Sequence, residues 1–343
     1  DHHVLNLDPK DPLWVGRKKP EGEHPTGVSH RDTLKMDWSH GHNQTIHNGI
    51  SRIGFYTGGH AARFRDEDLA DKWVEQSNLF MEENKDKPFF LFFSGHDIHV
   101  PRIPHERFQG KTKLGYRGDS IIQMDWCVGE VMKTLDRLKL AENTLVIFCS
   151  DNGPVMDDGY KDDALEKLGV HRAAGPYTGG KYSVYEGGTR TPFITRWTGR
   201  IQPSISSEIV CTIDMASSFA RLAGQTIPDD QCVDSQNILG ALLGEKGAKG
   251  RDHLVQQDNG ARGTFGMRVV SDKGDWKLHR HDKKSSRNTV VEKKLANYKV
   301  PQFQLFDLSK DPAEKKNVMK ENPEIGAELK AKLQSIIDAG RSR

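Results

Sequence analysis

Thr144-Leu145-Val146-Ile147-Phe148-Cys149-Ser150-Asp151-Asn152-Gly153-Pro154 sets a continuous apolar run directly before a polar, turn-forming tail. A short run of this kind suits a strand buried on both faces. The tail places a carboxylate and an amide carbonyl at the strand's carboxyl end, where open α/β sheets collect ligands. Upstream, residues 66–83 carry Leu69, Trp73 and Phe80 on one helical face, with acids at the start that suit the helix dipole. Pro88 then opens Phe89-Phe90-Leu91-Phe92-Phe93, a second predicted buried strand. Residues 118–138 predict a helix, with Ile121, Met124, Val128, Met132 and Leu135 spaced three or four apart. Residues 192–197 predict a third strand and residues 214–222 another helix. Strand and helix in alternation predict an α/β fold, a mostly parallel sheet flanked by helices.

The pattern changes beyond about Gly240. Residues 253–257, 265–270, 276–280 and 302–308 predict short strands, the middle two joined across Lys273-Gly274. A final helix over 323–339 carries Ile325, Leu329, Leu333, Ile336 and Ile337 on one side. These elements predict a small C-terminal antiparallel α+β subdomain. The first fifty residues are poor in apolar periodicity, and Asp8-Pro9-Lys10-Asp11-Pro12 and Arg17-Lys18-Lys19-Pro20 suit extended surface chain. The division expected is therefore 1–50, 51–240 and 241–343, without internal repeats or low-complexity tracts.

At 343 residues, 50 Lys+Arg against 48 Asp+Glu give a formal charge of +2, which argues against a nucleic-acid partner. Hydrophobic residues at 35% and charged residues at 29% exclude both a disordered chain and a membrane protein. No uncharged run approaches the ~18 residues needed to span a bilayer. Cys127, Cys149, Cys211 and Cys232 lie scattered, without metal-binding or disulfide-framework spacing. The start at Asp1-His2-His3, with no secretory apolar segment, suggests a processed or truncated piece of something longer.

Three polar clusters need explaining. Asp151 and Asn152 offer hard oxygen ligands for Ca²⁺ or Mg²⁺, although Asp-Asn-Gly is also a turn, and calcium takes six to eight oxygens. His96 and His99 follow the predicted strand at 89–93 and could bind metal, donate a proton or serve the loop; Pro101 favours an extended path there. Gly179-Gly180-Lys181-Tyr182-Ser183-Val184-Tyr185-Glu186-Gly187-Gly188-Thr189-Arg190-Thr191-Pro192 combines glycines that admit close approach with a compact cation at Lys181. It lacks P-loop spacing, and Glu186 and Arg190 are placed to pair with each other. Asp157, Asp158, Asp162 and Asp163 form an acidic loop expected to be solvated. No Gly-x-Ser-x-Gly, His-Glu-x-x-His or Gly-x-Gly-x-x-Gly signature occurs.

In order and setting, these clusters resemble the sulfatase family of the alkaline-phosphatase superfamily. The resemblance rests on His99-Val100-Pro101, Ser150-Asp151-Asn152-Gly153, the Gly180–Pro192 segment, and Leu305-Phe306-Asp307-Leu308 followed by Asp311-Pro312-Ala313-Glu314 and Asn317. It covers the chain from about Ser51 onward. It implies hydrolysis of sulfate esters, on a sulfated sugar or polysaccharide or an aryl sulfate, with Ca²⁺ and a formylglycine nucleophile. Asp151 and Asn152 would be metal ligands. Lys181 would contact the sulfate and its bridging oxygen, and His99 would bind sulfate or protonate the leaving oxygen. His96, His279, Arg280 and His281 are further candidates for substrate contact at the pocket rim. No Cys or Ser stands in the family's Cys/Ser-x-Pro-x-Arg motif, so the nucleophile is expected in an upstream segment or companion chain, and this chain alone is expected to be inactive. Periplasmic, secreted and lysosomal locations fit the resemblance. A phosphodiesterase or phosphonate hydrolase of the same superfamily, and a non-catalytic glycan-binding or structural module, are the alternatives.

Overall fold

The structure, a computed structural model, describes residues 4–258, 264–282 and 301–343. Two compact units are present, one of Asp1–Ala141 with Met156–His171, the other of Glu142–Val155 with Arg172–Arg343.

In the first unit, β1 (Trp14–Gly16) pairs with β4 (Phe55–Thr57), and β2 (Ile46–His47) with β3 (Ile50–Ser51), all antiparallel. The first fifty residues are mostly irregular, yet Met36 and Ile50 enter a buried cluster with Val100, Ile103 and Tyr160. Helix α1 (Leu69–Asn84) packs on α2 (Gly115–Arg137), and Ala70, Val74 and Cys127 form the seam with Phe93 and Trp126. Periodicity located both helices but only part of their inward faces. Trp73 is 41% exposed, whereas Ala70, Val74, Ser77 and Met81 are buried. On α2 the expected Leu135 is buried, but so are Ser120, Gln123, Cys127 and Thr134. A polar stripe can face inward when its groups find partners. Gln123 does so, accepting from His105 N at 2.8 Å and donating to Asp97 Oδ2 at 2.9 Å.

The apolar run 89–93 forms no strand, and Phe90 and Phe92 are 69% and 77% exposed. Such a run signals a preference for burial, but a strand also needs a neighbour to accept its backbone hydrogen bonds.

In the second unit, β5 (Val146–Cys149) pairs with β6 (Phe193–Arg196), Val146 opposite Arg196 and Cys149 opposite Phe193. The pairing is antiparallel, against the expected parallel order. Among the described residues, the connection between them holds only one helical turn, α3 (Glu186–Thr189), and no crossover helix to bring the chain back in the same direction. Helices α4 (Met215–Leu222) and α5 (Leu239–Leu242) follow. Nearby, Arg251 and Asp214, both fully buried, join their side chains at 2.5 Å.

Strands β7 (His253–Gln257), β8 (Thr264–Ser271), β9 (Gly274–His281) and β10 (Phe303–Asp307) form an antiparallel sheet in the order β10-β9-β8-β7. The β8–β9 register sets Ser271 opposite Gly274, so the tight loop is Asp272-Lys273, one residue earlier than expected. Helix α6 (Pro323–Ala339) lays Leu329 and Leu333 against Met267, Val269, Trp276, Leu278 and Leu305. The antiparallel sheet and its helix are as expected, and alternation along the strands determines what the opposite face presents.

Candidate functional site

The polar tail of β5 and the glycine-rich segment interlock through their backbones. Gly153 N donates to Gly188 O at 2.9 Å, and Lys181 N donates to Pro154 O at 3.0 Å. Within the segment, Gly187 N reaches Thr178 O at 2.8 Å and Gly188 N reaches Tyr185 O at 2.8 Å. The glycines are required by contact. A Cβ on Gly153 would lie 1.8 Å from Gly187 O, one on Gly187 2.4 Å from Thr178 O, and one on Gly188 2.3 Å from Gly180 O. Asp151-Asn152 and Lys181 are thus carried on two loops that hold each other by hydrogen bonds.

Asp151 is exposed, and its Oδ1 accepts from Asn152 N at 2.9 Å. Asn152 turns its Nδ2 to Gly153 O at 2.9 Å, which leaves its side-chain oxygen the atom suited to a cation. The pair makes the turn contacts expected of Asp-Asn-Gly and still supplies two hard oxygens. These fit calcium chemically but fall short of its usual six to eight donors. Among the described residues, no group of three or more His, Cys, Asp and Glu side chains could hold a metal ion. Half-buried Lys181 places its Nζ 5.1 Å from the ring centre of Tyr182.

His96 and His99 belong to the first unit. His99 is the more open, its side chain 58% exposed. Its Nδ1 lies 2.7 Å from Val100 O and its Nε2 3.9 Å from Asp158 Oδ2. With Nδ1–H donated to the carbonyl, Nε2 is the atom that faces outward partners. Burial pushes the half-buried His96 below the usual histidine range. The acidic loop is not uniformly solvated. Asp162 is 3% exposed and meets Arg102 Nη1 at 2.6 Å, while Arg102 also donates to Ile98 O and Met156 O, each at 3.1 Å. A buried carboxylate is tolerated here because a buried guanidinium answers it.

Between the two histidines, burial raises the Asp97 carboxyl to about 6, against the pull of the Gln123 hydrogen bond. A folded-state value above the unfolded one means that the native protein holds the proton longer. Asp97 therefore supports stability fully below about pH 4 and loses that contribution as pH rises through about 6. Asp97→Asn keeps an acceptor for Gln123 and removes the titration. It is expected to add about 1–2 kcal/mol at pH 7 and nothing at pH 4. Urea unfolding of both proteins at the two pH values checks this, and an equal difference at both would refute it.

The three basic-capable residues of β9 occupy unlike positions. His279 is 0% exposed, so it does not reach a solvent-facing rim as expected. Its Nε2 lies 3.0 Å from Glu314 Oε1, off the line of a good hydrogen bond, and burial keeps the imidazole below its ordinary pKa despite that carboxylate. Arg280 pairs with Asp282 at 2.8 Å and donates to Gln334 at 3.0 Å, while His281 Nε2 lies 2.9 Å from Gln304 Oε1. Glu186 and Arg190 do meet, at 3.5 Å, but the closer partner of Glu186 is Lys277, at 2.7 Å. Lys277 was not singled out from the sequence. Its position two residues before His279 on one strand, hence on the same face, was the available signal.

This arrangement is that of an alkaline-phosphatase-like α/β fold, which the chain shares with its solved neighbours. One of these, described within glycosaminoglycan metabolism by Bacteroides thetaiotaomicron, matches with a TM-score of 0.89 at 45% identity, over 97% of this chain and 68% of that chain. A sequence model of the sulfatase family matches residues 21–225, and the chain belongs to that family. It is 45% identical over 334 residues to an N-acetylgalactosamine-6-O-sulfatase of B. thetaiotaomicron, covering 97% of this chain and 64% of that protein. A steryl-sulfatase of Rattus norvegicus is 33% identical over 215 residues, 61% of this chain and 36% of its own length. The chain thus spans less than two thirds of either curated relative. Among the described residues no helix is long and apolar enough to cross a membrane.

Proposed function

We propose that this chain supplies part of the active site of a calcium-dependent sulfatase acting on a sulfated sugar, with 6-O-sulfated N-acetylgalactosamine the favoured substrate. The interlocking of the Asp151-Asn152 turn with the Lys181 loop carries this reading, and membership of the sulfatase family supports it. Asp151 and Asn152 would hold the calcium ion, which when bound would draw electron density from the sulfate oxygens. Lys181 would contact the sulfate and its bridging oxygen, countering charge that grows there as the ester bond breaks. His99 would bind the sulfate or, as an imidazolium whose Nδ1–H stays on Val100 O, give its Nε2 proton to the departing sugar oxygen. No cysteine or serine of the 343 residues stands in Cys/Ser-x-Pro-x-Arg, so the formylglycine and the remaining calcium ligands would come from a segment or companion chain outside these residues. Such an enzyme suits a periplasmic, secreted or lysosomal setting.

The test is turnover of 4-nitrocatechol sulfate and of 6-sulfated N-acetylgalactosamine by the full-length gene product, with and without EDTA. Lys181→Ala is expected to lower kcat/KM by about 100-fold or more. Hydrolysis of phosphate diesters in place of sulfate esters, or turnover indifferent to both EDTA and Lys181, would overturn the proposal.

A further inference from the structure

The face of the C-terminal sheet opposite α6 carries buried charge that the proposed chemistry leaves unused. Lys277 and His279 are 0% exposed, Glu186 1% and Glu314 4%. Lys277 Nζ lies 2.7 Å from Glu186 Oε1 and 3.8 Å from Glu314 Oε1. Arg268 Nη1 and Arg190 Nη1 stand 3.4 and 3.5 Å from Glu186 Oε2, so three cations answer the two carboxylates. Tyr185 sets its ring edge-on to His279 at 4.5 Å and packs with Phe306 and Leu308.

These groups grip the glycine-rich segment on both sides of Lys181. After the lysine, Glu186 N donates to Glu314 Oε2 at 2.6 Å. Before it, Thr178 Oγ1 donates to the carbonyl of Ala313, the residue preceding Glu314. The Asp311-Pro312-Ala313-Glu314 turn therefore holds both stems of one loop. The loop needs holding. Gly179, Gly180, Gly187 and Gly188 impose little conformational preference of their own, and Tyr182, next to the lysine, sits at φ +80°. A bulky residue persists in that region only when its surroundings determine it. Buried ion pairs add little net stability against apolar replacements, but they can define a single arrangement.

We propose that Glu314 and Lys277 are positioning residues that fix the loop over residues 179–189 so that Lys181 is presented to a tetrahedral sulfate anion. The assignment rests on the reading of Lys181 given above. It gives the C-terminal subdomain a part in anion recognition without contact between these residues and the substrate.

The test uses the full-length gene product, with inorganic sulfate in calcium-containing buffer as probe. Glu314→Gln is expected to weaken sulfate binding about tenfold. Thr178→Val should act in the same direction with a smaller effect, and it carries the test if the first variant does not fold. In a Lys181→Ala background, Glu314→Gln should change affinity less than about twofold, because a residue acting through the lysine has nothing left to position. A merely structural loss would weaken both backgrounds alike, and that result overturns the proposal. Amide hydrogen exchange over residues 179–189, measured without sulfate, should quicken in both positioning variants. Unchanged exchange alongside a normal dependence on Lys181 overturns the clamp alone. Equal sulfate affinity of wild type and Lys181→Ala instead overturns the reading of the lysine, and with it the purpose assigned to the clamp.

Discussion

Gly153→Ala is expected to abolish sulfate capture while the C-terminal sheet stays folded. The new methyl would lie 1.8 Å from Gly187 O, 2.8 Å from Gly187 C and 2.9 Å from Gly188 Cα. All three are backbone atoms, so no side chain can swing aside. Relief requires the β5 turn and the glycine-rich loop to separate, which also breaks the Gly153 N to Gly188 O hydrogen bond. Overpacking against immovable atoms costs about 3 kcal/mol, here concentrated at the junction. Displacing Asp151-Asn152 from Lys181 by even an ångström should reduce anion affinity roughly 100-fold. Sulfate titration measures this loss, and hydrogen exchange over β7–β10 tests whether the sheet survives. Gly129→Ala is the control, because nothing lies within 4 Å of its added Cβ within α2. That change should be neutral or stabilise by up to about 1 kcal/mol. Retained sulfate affinity in Gly153→Ala would show that the two loops do not depend on each other.

Lys277→Met should destabilise the second unit by about 3–5 kcal/mol. The substitution keeps the length of the side chain, so packing changes little. What changes is charge: Glu186 and Glu314 lose the ammonium that faces both. Burial by itself pushes the Glu186 carboxyl up, and Lys277, with Arg268 and Arg190, holds it below its ordinary value. With Lys277 gone, Glu186 keeps only the longer contacts to Arg268 and Arg190, at 3.4 and 3.5 Å, and its buried charge is held less well. The same logic makes the double variant Lys277→Met with Glu186→Gln milder than the sum of its parts, by about 1–3 kcal/mol. Glu314 then keeps the Glu186 backbone amide as donor, and one uncompensated carboxylate is removed. Denaturant unfolding of the four proteins of this cycle measures the coupling. Strict additivity would mean that Lys277 and Glu186 do not act as one network.

How much of this was legible in the sequence depended on whether the signal was local. Helices α1 and α2 declare themselves by spacing, and α6 was read to its ends. The β7–β10 hairpins and the apolar face under α6 also follow from alternation, because both describe one element against one neighbour. The Asp151-Asn152 turn and the Lys181 loop could be picked out as clusters of unusual composition. Three readings failed where the answer lay in a distant partner. Phe89–Phe93 has strand composition but forms no strand, because composition does not supply the partner a ladder requires. The direction of β6 relative to β5 was set by a long, nearly helix-free connection. His279 looked like a rim residue until Glu314 and Tyr185 proved to cover it.

Sequence alone determined the long helices, the strands and apolar periodicity of the C-terminal sheet, and the residue types able to meet a sulfate and a hard cation. Tertiary structure decided which glycines touch which carbonyls, which charges are buried, and that the Asp-Pro-Ala-Glu turn grips the loop of Lys181. The physical reason is separation along the chain. Periodicity reports interactions over a few residues, whereas the contact between Glu186 and Glu314 closes across 128 positions and exists only once the sheet has formed beneath it.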